Sequence, residues 1–180
     1  MQGESSQVQP DPIAFGRPQR RIRTLVVEDE WLLRHATSML LKHEPDIQVV
    51  GAAQDGAAAL DKVNALQPDM VVTDIAMPDM GGLELAFLLR RRFPSMGIVV
   101  VGTVHEPEIR DLCGLCGADI LMDKALLSAK LPAVIRTVYA VRRSVEERRG
   151  RMAAAANFEE RPEEVAYSVN PGQPLTTPQS

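Results

Sequence analysis

From about residue 22 to residue 143 the chain alternates short, almost continuously apolar runs with longer segments whose apolar positions recur every three or four residues. Thr24-Leu-Val-Val-Glu28 is the first run and predicts a strand. The segment after it places Leu33, Ala36, Thr37 and Leu40 on one helical face. A second strand, Ile47 to Ala52, is set off by the turn-like Glu44-Pro-Asp46. Asp55 is suited to cap a helix from Gly56 to Leu66, which Gln67-Pro-Asp69 breaks. Met70-Val-Val-Thr-Asp74 is the third strand. A loop with Pro78, Gly81 and Gly82 leads to a helix carrying Leu85, Leu89 and Phe93 on one side, stopped at Pro94-Ser95. Ile98 to Val101 forms the fourth strand, a helix around Glu106–Leu115 ends at Gly117, and Ile120 to Met122 forms the fifth. The last helix aligns Leu131, Val134, Ile135, Val138 and Val141, with Pro132 near its first turn. It continues through Arg142–Arg149 as a solvated extension.

Strands alternating with helices at this spacing imply βαβ units and a parallel sheet. The strands are apolar throughout rather than alternating, as a sheet covered on both faces requires. Right-handed crossovers then give an α/β, doubly wound, five-stranded parallel sheet with helices on both faces. The expected organisation is a disordered leader over 1–21, a folded domain over 22–143, a helical extension over 144–160 and a disordered tail over 161–180.

The chain has 180 residues, 45% of them hydrophobic, which suits one domain with a full core. A net charge of −4 gives no sign of a nucleic-acid surface. No run approaches the roughly 18 apolar residues that span a bilayer. Met1–Arg23 lacks the apolar stretch of a signal peptide, so the expected location is the cytoplasm. Cys113 and Cys116 have CxxC spacing. A redox pair of that kind opens a helix after an early strand, and a zinc site needs further ligands. The pair is therefore expected to be two small, semi-buried helical residues.

In doubly wound sheets the site lies beyond the carboxyl ends of the strands. There the first strand ends in Glu28-Asp29-Glu30, the third in Asp74, the fourth in Gly102-Thr103, and the fifth is followed by Asp123-Lys124. Crowded carboxylates repel unless a cation sits among them. A hard divalent ion with oxygen ligands, Mg²⁺, suits such a set. A carboxylate in that setting can act as a nucleophile toward phosphorus.

These segments resemble the receiver domain of bacterial two-component response regulators. Leu25-Val-Val-Glu-Asp-Glu30 is similar to the acidic-pair strand, and Val72–Glu84 to the phosphoacceptor segment, with Met77-Pro78 and Gly82 at the family's offsets. Val99–Thr103 is similar to the switch strand and Gly117–Lys124 to the lysine segment. Four motifs in order, over about residues 22–143, make a specific match. The resemblance implies a flavodoxin-like receiver fold and phosphorelay signalling, with Asp74 as phosphoacceptor. It implies that Asp29, Asp74 and the Ala76 carbonyl bind Mg²⁺ directly, with Glu28 acting through water. Thr103 and Lys124 are implied to bind the phosphoryl oxygens and carry the switch. A histidine kinase or phosphotransfer protein is the implied donor, and an unidentified downstream protein the implied target. Self-association through the last helix and strand is left open.

The chain departs from the family pattern at Leu121, where an aromatic switch residue is usual, and at Ala125, where proline commonly follows the lysine. Glu28 stands where aspartate is commoner. The Glu44–Gly56 stretch is similar to receivers that precede a LuxR-type helix-turn-helix. The short remainder after Arg143 has no such pattern, so DNA binding by this chain is not expected. A haloacid-dehalogenase-type phosphohydrolase needs a second aspartate two residues after the nucleophile, where this chain has Ala76, so catalytic turnover is not expected. The remaining alternative is a receiver-like interaction module that acts without phosphate. His35, His43 and His105 are expected as surface or helix-face residues, with His105 two residues after Thr103, near the phosphate mouth.

Overall fold

In the computed structural model, residues 20–103 and 107–159 are described. Five strands form one sheet: β1 (Ile22–Val27), β2 (Ile47–Ala53), β3 (Met70–Asp74), β4 (Gly97–Gly102) and β5 (Ile120–Asp123). Five helices alternate with them: α1 (Trp31–Lys42), α2 (Gly56–Leu66), α3 (Gly82–Arg92), α4 (Pro107–Leu115) and α5 (Leu127–Glu159). A single 3-10 turn, Lys124–Leu126, joins β5 to α5. The strand order is β2-β1-β3-β4-β5, with every pairing parallel. The doubly wound fold expected above is therefore the observed one.

Alternation along each strand builds two cores. Leu25, Val71, Ile98 and Val100 point to one face, where they meet Val63 of α2, Leu85 and Leu89 of α3, and Cys113 of α4. Val26, Val72, Val99 and Val101 point to the other, against Leu41 of α1 and Leu131, Ile135 and Val138 of α5. Each fully buried aliphatic side chain contributes about 1.5–3 kcal/mol. Asp55 caps α2 as expected, accepting from Ala58 N at 2.7 Å. Among the described residues no helix is long and apolar enough to cross a membrane.

The helices differ from the sequence expectation in four places. On α1 the buried positions are Thr37, Ser38 and Leu41, and Ala36 is exposed. Ser38 tolerates burial because its hydroxyl donates to the Arg34 carbonyl at 2.8 Å. On α5 the apolar stripe leaves the sheet after Val138, and Val141 is 57% exposed. Pro132 sits in the second turn of α5, not the first, because the helix begins at Leu127. Arg142, expected to be solvated, is half-buried and paired with Asp119.

The chain divides into a unit through Val145 and a second from Glu146. In the second, the described side chains from Glu146 to Ala154 are exposed. The segments expected to be disordered fall almost wholly outside the described residues, as do Glu106 and His105.

Candidate functional site

Parallel strands in this order bring the carboxyl ends of β1, β3, β4 and β5 to one edge. Asp74 closes β3 in register with Val101 of β4, and Gly102 is in register with Asp123 of β5. Glu28 follows β1 directly, and its amide donates to Ala53 O at 3.1 Å. Both Glu28 and Asp74 are buried, and Asp29 is exposed. One carboxylate oxygen each from Glu28, Asp29 and Asp74 falls within a 4.8 Å cluster.

Lys124 reaches into this cluster. Its Nζ lies 2.9 Å from Asp74 Oδ2 and 3.4 Å from Glu28 Oε2. The lysine is aimed by Asp123, whose carboxylate accepts from Ala125 N at 2.9 Å and caps the 3-10 turn. Burial disfavours the Lys124 ammonium, but its bond to Asp74 and the charges of Asp74 and Glu28 outweigh that and hold its pKa above the ordinary lysine value. Burial, reinforced by the charge of Asp74, pushes Glu28 above the usual carboxylate range in spite of Lys124.

The loop after β3 is shaped to present Asp74. The Ile75 amide donates to Asp74 Oδ1 and to Val101 O, each at 2.8 Å. Asp79 has a left-handed backbone, φ 64°, and Gly82 N donates to Ile75 O at 3.0 Å to close the turn. Gly82 is required here: a Cβ at that position would sit 2.0 Å from the Asp74 carbonyl oxygen. Ala76 lies in this loop and is exposed, and Thr103 follows β4 directly and is exposed. The sequence-selected residues thus divide. Glu28, Asp29, Asp74 and Lys124 are in one cluster, while Thr103 and Ala76 stand on the adjoining strand end and loop.

Two features are absent from the sequence reading. Arg34 donates from Nη1 to the carbonyls of Glu28 at 2.5 Å and Asp29 at 3.0 Å. Its signal is a basic residue in the first turn of the helix that follows an acidic loop. Away from this edge, Asp119 accepts from Arg90, Arg142 and the Ile98 amide. No local sequence signal marks that network. Leu121, at the usual aromatic position, is half-buried against the α2–α3–α4 core. Cys113 is buried in α4, and burial raises its thiol pKa; Cys116 is half-buried just beyond the helix.

The donor set fits a hard divalent cation. The three clustered carboxylates supply only oxygen, as Mg²⁺ prefers. Glu28 Oε1 is buried with no hydrogen-bond partner, a position that costs free energy unless a cation or its water satisfies it.

Comparison with known proteins agrees with this geometry. The family profile described as the response regulator receiver domain matches residues 24–136. A protein-glutamate methylesterase/protein-glutamine glutaminase of Nocardioides sp. is 45% identical over 85 residues, which cover 47% of this chain and 23% of that protein. The response regulator GacA of Pseudomonas viridiflava is 33% identical over 138 residues, covering 77% of this chain and 64% of that protein. The chain thus spans less than two thirds of either relative. The response regulator domain of Thermotoga maritima CheB superimposes with a TM-score of 0.61 at 27% identity, covering 69% of this chain and 98% of that one. Sheet order, acidic edge and family profile together place this chain in the response regulator receiver domain family of two-component phosphorelay signalling.

Proposed function

We propose that Asp74 accepts a phosphoryl group and that the site reads its presence. The observation that carries this is the pairing of Lys124 with Asp74 at 2.9 Å beside a partnerless buried oxygen of Glu28. Asp29, Asp74 and the Ala76 carbonyl would hold Mg²⁺ directly, with Glu28 acting through water. When bound, the ion supplies charge neutralisation for the incoming phosphoryl oxygens.

The chain's own residues do the rest. A carboxylate oxygen of Asp74 forms the new bond to phosphorus as the donor's bond to phosphorus breaks, and the leaving group keeps that electron pair. The Ile75 amide, already on Asp74 Oδ1, orients the carboxyl group. Lys124 passes from the carboxylate to a phosphoryl oxygen, and the Thr103 hydroxyl donates to another. The donor is a histidine kinase or phosphotransfer protein in the cytoplasm, and the target is a downstream protein. Within this chain the acid is a phosphoacceptor for signalling and not the nucleophile of an enzyme with turnover.

Incubation with Mg²⁺ and a small acyl phosphate tests the assignment by intact mass. A Mg²⁺-dependent gain of one phosphoryl group, absent in Asp74→Asn, is the expected result. No gain in a folded protein would favour an interaction module that works without phosphate.

A further inference from the structure

The loop that carries Glu28 and Asp29 is electrostatically awkward. Glu28, Asp29 and Glu30 are consecutive, and Asp74 closes in from β3. Like charges at this spacing repel and act to open the loop. The carbonyls of Glu28 and Asp29 also lie beyond the end of β1, past the ladder that would satisfy them. A cation that held this loop through its backbone would leave free the carboxylate oxygens that a metal needs. Lys124 does not serve, because it binds those oxygens themselves.

Arg34 has the required placement. It is half-buried in the first turn of α1, where its own amide donates to Glu30 O at 2.9 Å. Its Nη1 turns back to the Glu28 and Asp29 carbonyls at 2.5 and 3.0 Å. Ser38 fixes that turn by donating to the Arg34 carbonyl. The positive charge therefore enters the acidic loop through the backbone and leaves the carboxylates open.

Resting on the phosphoacceptor reading, we propose that Arg34 is the positioning residue of the acidic pair, setting the affinity for the divalent cation without touching it. Residues that orient ligands from behind typically change metal affinity by about 10–100-fold when removed. Lysine keeps the charge, but its nitrogen ends one bond short of the outer guanidinium nitrogen, so Arg34→Lys should recover only part.

The experiment measures two things on the full chain. The first is Mg²⁺ affinity from Trp31 fluorescence, since Trp31 follows the loop and is 63% exposed. Arg34→Met should weaken binding at least about tenfold, with Arg34→Lys in between. Leu41→Ala, which removes a fully buried side chain of the same helix, should lower stability and leave the affinity unchanged. The second is the backbone order parameter of Asp29 and Glu30 without metal, expected to fall from about 0.85 toward 0.6 in Arg34→Met. Wild-type affinity and unchanged order in Arg34→Met overturn the proposal. A wild-type chain with no Mg²⁺ affinity overturns the phosphoacceptor reading instead, and the metal-free order parameters then decide on Arg34 alone.

Discussion

Lys124 Nζ lies 2.9 Å from Asp74 and 3.4 Å from Glu28, so one ammonium serves two buried carboxylates. Removing it leaves those carboxylates facing each other. Breaking a fully buried pair costs about 3–5 kcal/mol. Lys124 is 30% exposed, so water recovers part of this. Lys124→Met is expected to lower the metal-free unfolding free energy by about 2 kcal/mol. Millimolar Mg²⁺ should restore part of the loss, because it supplies the missing charge. Urea denaturation with and without Mg²⁺ measures both, and equal curves for the two proteins would refute the arrangement.

Glu28 gives a pH dependence of unusual sign. Its folded pKa is raised from 4.5, first by burial and then by Asp74. Between the unfolded and folded values the native state holds a proton that the unfolded chain has released. The contribution is therefore fully present below about pH 4.5 and lost as pH rises through the folded pKa. The difference in stability between wild type and Glu28→Gln, measured without metal, isolates this group from the other carboxylates. Wild type should lose ground to the glutamine variant as pH rises toward neutral. A flat difference would mean that Glu28 titrates normally.

How much of this was legible beforehand depends on the range of each interaction. Asp74 stood out because an acid closing Met70-Val-Val-Thr is expensive to bury without a purpose, and the structure does bury it. Asp55 stood out because its cap is made within three residues. The inward face of α1 departs from the hydrophobic pattern because apolarity alone ranks Ala36 above Ser38, and the hydroxyl bond that lets Ser38 go inside is invisible in such a pattern. Arg142 departs from expectation for a different reason. Its partner, Asp119, is brought to it by the packing of β5 and α5 and by no local pattern. Arg34 has only a weak local signal, because its partners are backbone carbonyls of the loop that folds back on it.

Gly82 is fixed by backbone, not by a movable side chain. A methyl group there would lie 2.0 Å from the Asp74 carbonyl oxygen and 2.9 Å from its carbonyl carbon. The chain must shift at the proposed phosphoacceptor. Gly82→Ala is expected to destabilise by about 3 kcal/mol, as overpacking against a rigid neighbour does, and to slow phosphorylation of whatever remains folded. Gly114, where a Cβ meets nothing within 4 Å, is the control. Gly114→Ala, in the last turn of α4, should be neutral or gain a few tenths of a kcal/mol.

Asp119 holds two arginines and a backbone amide. Arg90 donates to it at 2.9 Å, the Ile98 amide at 2.8 Å, and Arg142 of α5 joins from the other side. The partners are largely shielded, so Asp119→Ala would take the shared carboxylate from two guanidiniums, although Arg90 keeps the carbonyls of Gly117, Pro94 and Met96. The expected cost is about 2–3 kcal/mol, below the figure for a fully buried pair because of the residual exposure and those carbonyls. Mg²⁺ affinity of the folded fraction should be unchanged, because this network touches none of the clustered carboxylates. A loss below about 1 kcal/mol would place these pairs with ordinary surface ion pairs.

In the proposed mechanism, Thr103 separates accepting the phosphoryl group from reading it. The hydroxyl stands one residue past β4, two beyond the position level with Asp74, and bonds none of the carboxylates of the cluster. Attack by Asp74 does not need it, so Thr103→Ala should still gain one phosphoryl group by mass. Reading is another matter. Moving a two-state protein from 1:99 to 99:1 takes about 5.5 kcal/mol. A hydrogen bond to a charged group supplies about 1.5–3 kcal/mol of that. Without it, the ratio of switched to unswitched phosphorylated protein should fall from about 99:1 to between about 8:1 and 0.6:1. Trp31 fluorescence or amide chemical shifts, compared between the phosphorylated forms of wild type and variant, measure that ratio. A variant that switches as fully as wild type would assign the reading to Lys124 and the cation instead.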